Sequence, residues 1–410
     1  MKILFVIDTL YSTNNGTSIS ALRYADELRR RGHIVRALCG DTPNNEEQAA
    51  VTEHDYCTGI LHIPFFQPLI QKHGFCFAKA GRSVRPMIHE ACEWADIVHV
   101  FIPFFLDNIA IDYCKKIGKP ITGAFHLQAE NITSSFGLGK VQFINDFIYA
   151  IFRRTTYNRL RHVHTPSQFM ADSLRQHGYT SRLHVISNGI KEAFMEAGEI
   201  KKEQRNTYRE ADRSSAGKLE IPSTKGVFKI MMVGRLSREK RQDVIIRAMH
   251  YSRYADRIQL VFAGQGPEYK RYLHLSRGLK HPPRFIYKQQ TELIEELLTT
   301  DLYVHASDME SEAIGCIEAF ATGLVPVIAD SDNSATPQFA LDGRSLFAAG
   351  NPKDLARAID YWLDQPDERH YMEQLYRVAG REYSLTKSVA EFEKMLKKEI
   401  ADCTRNNERK

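Results

Sequence analysis

The feature that most constrains this chain is a double alternation. Short apolar runs, each followed by a stretch with helical spacing, begin at the first residue, break off near residue 190 and restart near residue 228. The first series comprises residues 3–7, 34–39, 97–101, 121–124, 162–165 and 183–186, with a helix expected at 18–31. The second comprises 228–233, 259–263, 284–287, 302–305 and 325–329. Strands that are apolar nearly throughout, separated by helices, are those of a parallel sheet covered on both faces. At 410 residues the chain exceeds one ordinary core. The expected fold class is therefore α/β, with two Rossmann-like doubly wound domains. Residues 1–188 form the first, ending at the turn Ser187-Asn188-Gly189, and residues 189–384 form the second. The charged stretch 191–225 reads as a linker or surface excursion, and a helix at about 385–402 is placed back on the first domain. Ligands of such sheets bind beyond the carboxyl ends of the strands, so the following loops are where chemistry is sought.

Composition excludes several classes. Hydrophobic residues make up 43% and charged residues 26%, and no apolar run reaches the roughly 18 to 20 residues of a membrane span. The opening MKILFVIDTL reads as a buried strand rather than a leader, which predicts a cytoplasmic protein. Seven cysteines without a Cys-x-x-Cys pair argue against a disulfide framework and against a zinc cluster, so no metal or cofactor is expected. A net charge of +5 is too mild for a nucleic-acid binder but suits anionic small ligands or a lipid surface.

Several loops carry candidate chemistry. After the first strand, residues 8–18 form a small polar loop opening a helix at Gly16; this is either a phosphate seat or an ordinary capped loop, with Asp8 as a cap. A lone glycine there is not the G-x-G-x-x-G of a dinucleotide fold, which disfavours a nicotinamide dehydrogenase. Beyond the strand at 228–233 stand Arg235 and Lys240, a guanidinium and an ammonium able to neutralise a diphosphate, or else solvated loop charges. Gly264-Gln265-Gly266-Pro267-Glu268 admits close backbone approach to a ligand or simply a tight turn. The sharpest signal is HASDMESEAIGCIEAFATGLVP at 305–326, where Glu310 and Glu318 bracket seven residues beside an apolar helix face. Carboxylates so placed suit paired sugar hydroxyls, whereas Glu312 reads as a surface or helix-start charge. In the first domain His126 lies after a strand, at a carboxyl end, with Glu130 and Asn131 close behind as weaker contacts.

Two stretches mix rings with cations. Residues 63–86 carry Lys72, Lys79, Arg82 and Arg85, and residues 143–161 carry Arg153, Arg154, Arg159 and Arg161. They read either as an anionic-membrane surface or as core-facing helices with basic outer faces.

Together, Gly234-Arg235 with Lys240, the Gly264 turn, the Glu310 to Glu318 spacing and Glu318-Ala319-Phe320-Ala321 with Gly323 and Pro326 resemble the family-four retaining glycosyltransferases of GT-B fold. The resemblance covers roughly residues 1–360, and residues 334–342 are similar to the corresponding loop of bacterial glycolipid enzymes. It implies two domains with a cleft between them, a nucleotide-sugar donor on the second and an acceptor on the first. It implies that Glu318 binds the ribose, that Glu310 and His126 lie by the donor sugar, and that Arg235 and Lys240 grip the diphosphate, with Gly16 and Gly264 lining the donor site. Where the family has Gly-Phe-Gly after the first glutamate, this chain has Ser311-Glu312-Ala313, and it has Asn15-Gly16 where two glycines are usual. The expected function is retaining transfer of a hexose, glucose or galactose, from a UDP-sugar to a lipid such as diacylglycerol. The rivals are transfer to a soluble or polysaccharide glycan, a sugar-nucleotide epimerase and a non-catalytic binding module.

Overall fold

A computed structural model describes residues 1–11, 16–45, 48, 52, 54–62, 76–135, 139, 141–214 and 226–408. The loop residues 12–15 and the stretch 63–75, with Lys72, lie outside the described residues. Two compact units emerge: Met1–Gly189 with Leu385–Lys410, and Ile190–Ser384.

The first unit is built on β1 (Lys2–Val6), β2 (Ile34–Cys39), β3 (Tyr56–Cys57), β4 (Ile97–Val100), β5 (Ile121–Ala124), β6 (His162–Thr165) and β7 (Arg182–Val185), in the order β3-β2-β1-β4-β5-β6-β7. Every pairing is parallel, and Phe5 of β1 lies level with Ala37 on one side and His99 on the other. β1 is buried after Lys2 and β4 throughout, because helices cover both faces and leave no wet side for alternating polar residues. The terminal helix Leu385–Glu408 covers one of those faces: Val389, Phe392, Met395 and Leu396 join Ile3, Phe5 and Tyr24 in one cluster.

In the second unit β8 (Phe228–Val233), β9 (Ile258–Ala263), β10 (Arg284–Ile286), β11 (Leu302–His305), β12 (Pro326–Asp330) and β13 (Leu346–Ala348) run in the order β10-β9-β8-β11-β12-β13, again all parallel. Strand order reverses between β1 and β4 in one sheet and between β8 and β11 in the other. At such a switch point the loops diverge to opposite faces and leave a crevice at the carboxyl ends. β3 and β13, two and three residues long, were not anticipated, since strands so short carry no periodicity.

The stretch read as a linker is corrected by the structure. A helix spans Glu192–Ser214 and buries Phe194 and Ala197 in the second unit's core. Lys201 completes that buried line, its Nζ donating to the carbonyls of Leu297 (3.3 Å) and Thr300 (2.8 Å) at the end of the helix Gln290–Leu298. A lysine satisfying orphan carbonyls at a helix end belongs to the packed face, which is why the stretch looked too polar to be core.

Candidate functional site

In the second unit the site candidates gather around the switch point of β8 and β11. The loop after β8 is fastened from several sides. Leu236 donates its N–H to Gln265 (3.0 Å) and accepts that of Glu268 (3.0 Å), Gln242 Nε2 donates to the Arg235 carbonyl (2.9 Å), and the Tyr272 hydroxyl donates to the Ser237 carbonyl (2.8 Å). Gly264 settles at φ +153°, and a Cβ there would meet the Gly234 carbonyl oxygen at 2.1 Å. Its lack of a side chain is thus accounted for by one loop lying against the other, with no ligand required. Arg235 and Lys240 project from this loop, both half-buried.

Lys240 Nζ donates to Glu310 Oε1 at 2.5 Å, and His305 Nε2 lies 3.0 Å from the same oxygen. Glu310 is buried, which by itself pushes its carboxyl up; the Lys240 ammonium and the His305 hydrogen bond outweigh that and hold it at about 2. The Glu310 loop is pinned on both sides, since Asp308 donates its N–H to the Glu239 carbonyl (2.8 Å) and Ala335 donates to the Glu310 carbonyl (2.8 Å). Arg241, in the left-handed region at φ +53°, directs its guanidinium to Asp308 (2.7 Å) and Asp243 (3.3 Å).

Glu318 stands in the second turn of the helix Ile314–Ala321 and is buried. Gly315 lets that helix start against β8: a Cβ there would come 3.2 Å from Val233 Cβ. Ala313, directly before the helix, is held at φ +74°, a conformation in which a side chain is strained. Glu312 corrects an expectation. It is 2% exposed, not a surface charge, although its neighbours Ser311 and Ala313 are only half-buried. Arg235, Lys240, Glu310 and Glu318 are thus borne by adjoining loops and one helix at the carboxyl ends of β8 and β11. The sequence singled out neither His305 nor Tyr303; the available signal was a lone histidine closing an otherwise apolar strand.

In the first unit His126 follows β5, buried, with its Nε2 lacking a hydrogen-bond partner among the described residues. Burial pushes its imidazole well below the ordinary range, so the ring is neutral. Its ring lies near-parallel to Phe101 at 6.0 Å and edge-on to His164 at 5.2 Å. Asp8 accepts the Ala78 N–H (2.7 Å) rather than an N–H of the described loop residues; burial pushes its carboxyl up to about 7. Asp107, on the helix Phe105–Ile117, accepts from Phe101 (3.1 Å) and Ile102 (3.2 Å), and burial and the Asp8 charge hold its carboxyl high. The loop after β1 is instead fixed by Asp41, which accepts the N–H groups of Leu10 (2.8 Å) and Tyr11 (2.9 Å). Gly16 opens the helix Gly16–Arg30 from an exposed position. Glu130 is buried and accepts the Tyr149 hydroxyl at 2.8 Å, with half-buried Asn131 beside it.

The basic stretches divide. Lys79, Arg82, Arg85 and Arg154 are exposed. Arg153 donates to the His177 carbonyl (2.6 Å), Arg159 pairs with Asp112, and Arg161 stands 3.6 Å from Glu399. Tyr149, Phe152 and Tyr157 are core, whereas Phe143 (74% exposed), Phe147 (66%) and Ile151 (41%) line the outer side of the helix Gln142–Thr155 at a spacing of four. The stretch is a core-facing helix, but its outer face is apolar with one flanking cation rather than basic. Among the described residues no helix is long and apolar enough to cross a membrane.

Residues 14–194 match the family described as Glycosyltransferase Family 4, and residues 217–377 match Glycosyl transferases group 1. The chain belongs to the family-four glycosyltransferases of GT-B fold. It is 25% identical over 401 residues to the alpha-monoglucosyldiacylglycerol synthase of Streptococcus pneumoniae, covering 96% of this chain and 85% of that protein. The solved structure of Anabaena Alr3699/HepE in complex with UDP and glucose superposes with a TM-score of 0.70 at 15% identity, over 97% of this chain and 99% of that one. The catalytic domain of cholesterol-alpha-glucosyltransferase from Helicobacter pylori is 46% identical over 38% of this chain and 99% of its own, at a TM-score of 0.36.

Proposed function

We propose that this glycosyltransferase moves a hexose, glucose or galactose, from a UDP-sugar to the hydroxyl of a membrane lipid such as diacylglycerol, with retention at the anomeric carbon. The observation that carries the donor half is the Lys240–Glu310 pair at the switch point of β8 and β11. An ammonium on a flexible stem beside a half-buried guanidinium suits a diphosphate, and an ionised buried carboxylate suits sugar hydroxyls. Glu318, one turn into the next helix, is assigned to the ribose. His126, neutral and with a free Nε2, is assigned to a sugar hydroxyl as a hydrogen-bonding group rather than a charge.

The chemistry we assign needs no protein nucleophile. The acceptor oxygen bonds to the anomeric carbon on the face from which the diphosphate departs, the carbon–oxygen bond to the diphosphate breaks, and the acceptor proton passes to the leaving phosphate oxygen. Arg235 and Lys240 stabilise the charge that develops there.

The lipid half is supported by the name of the pneumococcal relative, an alpha-monoglucosyldiacylglycerol synthase, and by the exposed line Phe143, Phe147, Ile151 with Arg154. Rings and an aliphatic chain entering the interface beside cations meeting lipid phosphates make a peripheral attachment. Incubation with UDP- and GDP-sugars and with diacylglycerol or glycan acceptors, followed by mass and anomeric analysis, tests the proposal. A hexosyl lipid of the donor's anomeric configuration is expected. A product formed only on a soluble glycan would overturn the lipid assignment, and a rearranged sugar released without acceptor would overturn transfer itself.

A further inference from the structure

A line of polar contacts ends on Glu310 and begins in the backbone of β8. Val233, the last residue of β8, donates its N–H to the Tyr303 hydroxyl at 3.3 Å. That hydroxyl stands 3.4 Å from the Val233 carbonyl and 3.4 Å from His305 Nδ1. Across the imidazole, Nε2 is 3.0 Å from Glu310 Oε1. Tyr303 and His305 are two residues apart on β11 and so share a face; both are buried and their rings lie near-parallel, 6.1 Å apart. An ionised carboxylate can only accept, so Nε2 carries the hydrogen of that contact, while Nδ1 faces the tyrosine hydroxyl.

Two donors therefore meet on one oxygen, and they differ in freedom. Lys240 reaches Oε1 from a loop, on a four-carbon stem, half-buried. His305 reaches it from a strand, 2% exposed, with its other nitrogen engaged. If Lys240 turns toward a diphosphate, Glu310 keeps a hydrogen bond only through His305 among these two.

We infer that His305 is a positioning residue that keeps Glu310 seated toward the donor sugar while Lys240 transfers its charge from Glu310 to the donor's diphosphate. The inference rests on the second unit being the nucleotide-sugar site. It makes sugar recognition, rather than nucleotide recognition, the property that depends on His305.

The test uses the full-length protein and its His305→Leu, His305→Gln and His305→Asn variants, titrated calorimetrically with UDP and with UDP-glucose. UDP affinity is expected to stay within about twofold throughout. The preference for UDP-glucose over UDP is expected to fall about tenfold in His305→Leu and to return within about threefold in His305→Gln, whose carboxamide donates from near the Nε2 position. Asparagine, one carbon shorter, should not restore it, so the Gln and Asn pair decides the matter if the leucine variant does not fold. Equal ratios in the glutamine and asparagine variants would overturn the inference. Crystal structures of the ligand-free Lys240→Ala protein, alone and combined with the same substitutions, give an arm independent of the donor: with the ammonium gone, Glu310 is expected to leave its seat in the leucine and asparagine variants and keep it with histidine or glutamine. An unmoved carboxylate in all of them would also overturn it. A wild type that binds neither nucleotide would instead sink the donor assignment, with the crystals still deciding the role of His305.

Discussion

Lys240 Nζ stands 2.5 Å from Glu310 Oε1, an ion pair of a half-buried ammonium and a buried carboxylate joining a loop after β8 to a loop after β11 across 70 residues of sequence. Removing one partner of such a pair leaves the other charge uncompensated, at a cost of about 3 kcal/mol.

Lys240→Ala is expected to lower stability at pH 7 by about that amount and, on the proposed diphosphate role of the same ammonium, to slow transfer roughly a hundredfold. Adding Glu310→Gln should recover most of the stability but not the transfer. Urea denaturation and initial rates on the single and double variants check this. Recovery of both properties would mean that Lys240 serves only the pair. Since the Glu310 carboxyl sits at about 2 against an ordinary 4.5, its contribution to stability is present above pH 4.5 and is lost as pH falls toward 2.

Glu318→Ala should weaken binding of free UDP about tenfold while leaving the melting temperature within a few degrees. The basis is the proposed hydrogen bonding of this carboxylate to ribose hydroxyls. Calorimetric titration with UDP measures it, and unchanged affinity would count against the ribose assignment.

Two backbone positions make opposite predictions. Gly264→Ala drives a Cβ into the Gly234 carbonyl at 2.1 Å and should cost roughly 3 kcal/mol. Ala313→Gly relieves a side chain held at φ +74° and should add about 1 kcal/mol. Chemical denaturation of each variant provides the comparison; a stabilised Gly264→Ala would contradict the observed loop packing.

Asp8→Asn should change the pH dependence of stability. The unfolded chain ionises Asp8 near 3.8 and the folded protein near 7, mainly because of burial, so the folded state holds the extra proton between those values. Stability therefore falls as pH rises through that window and stays lowered above it. Asparagine mimics the protonated form, so the variant should be more stable than wild type at pH 8, by about 2 kcal/mol, and nearly equal to it at pH 4. Equal differences at both pH values would show that Asp8 is not what sets the slope.

Much of the fold was legible because a parallel strand covered on both faces is apolar throughout. β2, β5, β8 and β11 fell at the residues expected for that reason. The helix Glu192–Ser214 was missed because its buried residues, among those described, are Phe194, Ala197, Gly198 and Lys201 amid charges, and a lysine does not look like a core residue until the carbonyls it caps are known. In the same way, the aromatic and basic stretch at 143–161 could not be divided by composition into the core residues Tyr149, Phe152 and Tyr157 and the exposed Phe143, Phe147 and Ile151.

By itself the sequence determined the class of the protein and the placement of the candidate donor residues: two alternating series, and Arg235, Lys240, Glu310 and Glu318 in loops and a helix after their strands. Periodicity and local spacing suffice for that, because they specify which residues share a face and which lie beyond a strand end. Only the tertiary structure decided that Lys240 and His305 meet on one oxygen of Glu310, that Gly264 yields to the Gly234 carbonyl, and that Glu312 is buried. These depend on how β8, β9 and β11 are registered side by side, and residues about 70 positions apart acquire their charges, partners and strain only when that register brings them within hydrogen-bond distance.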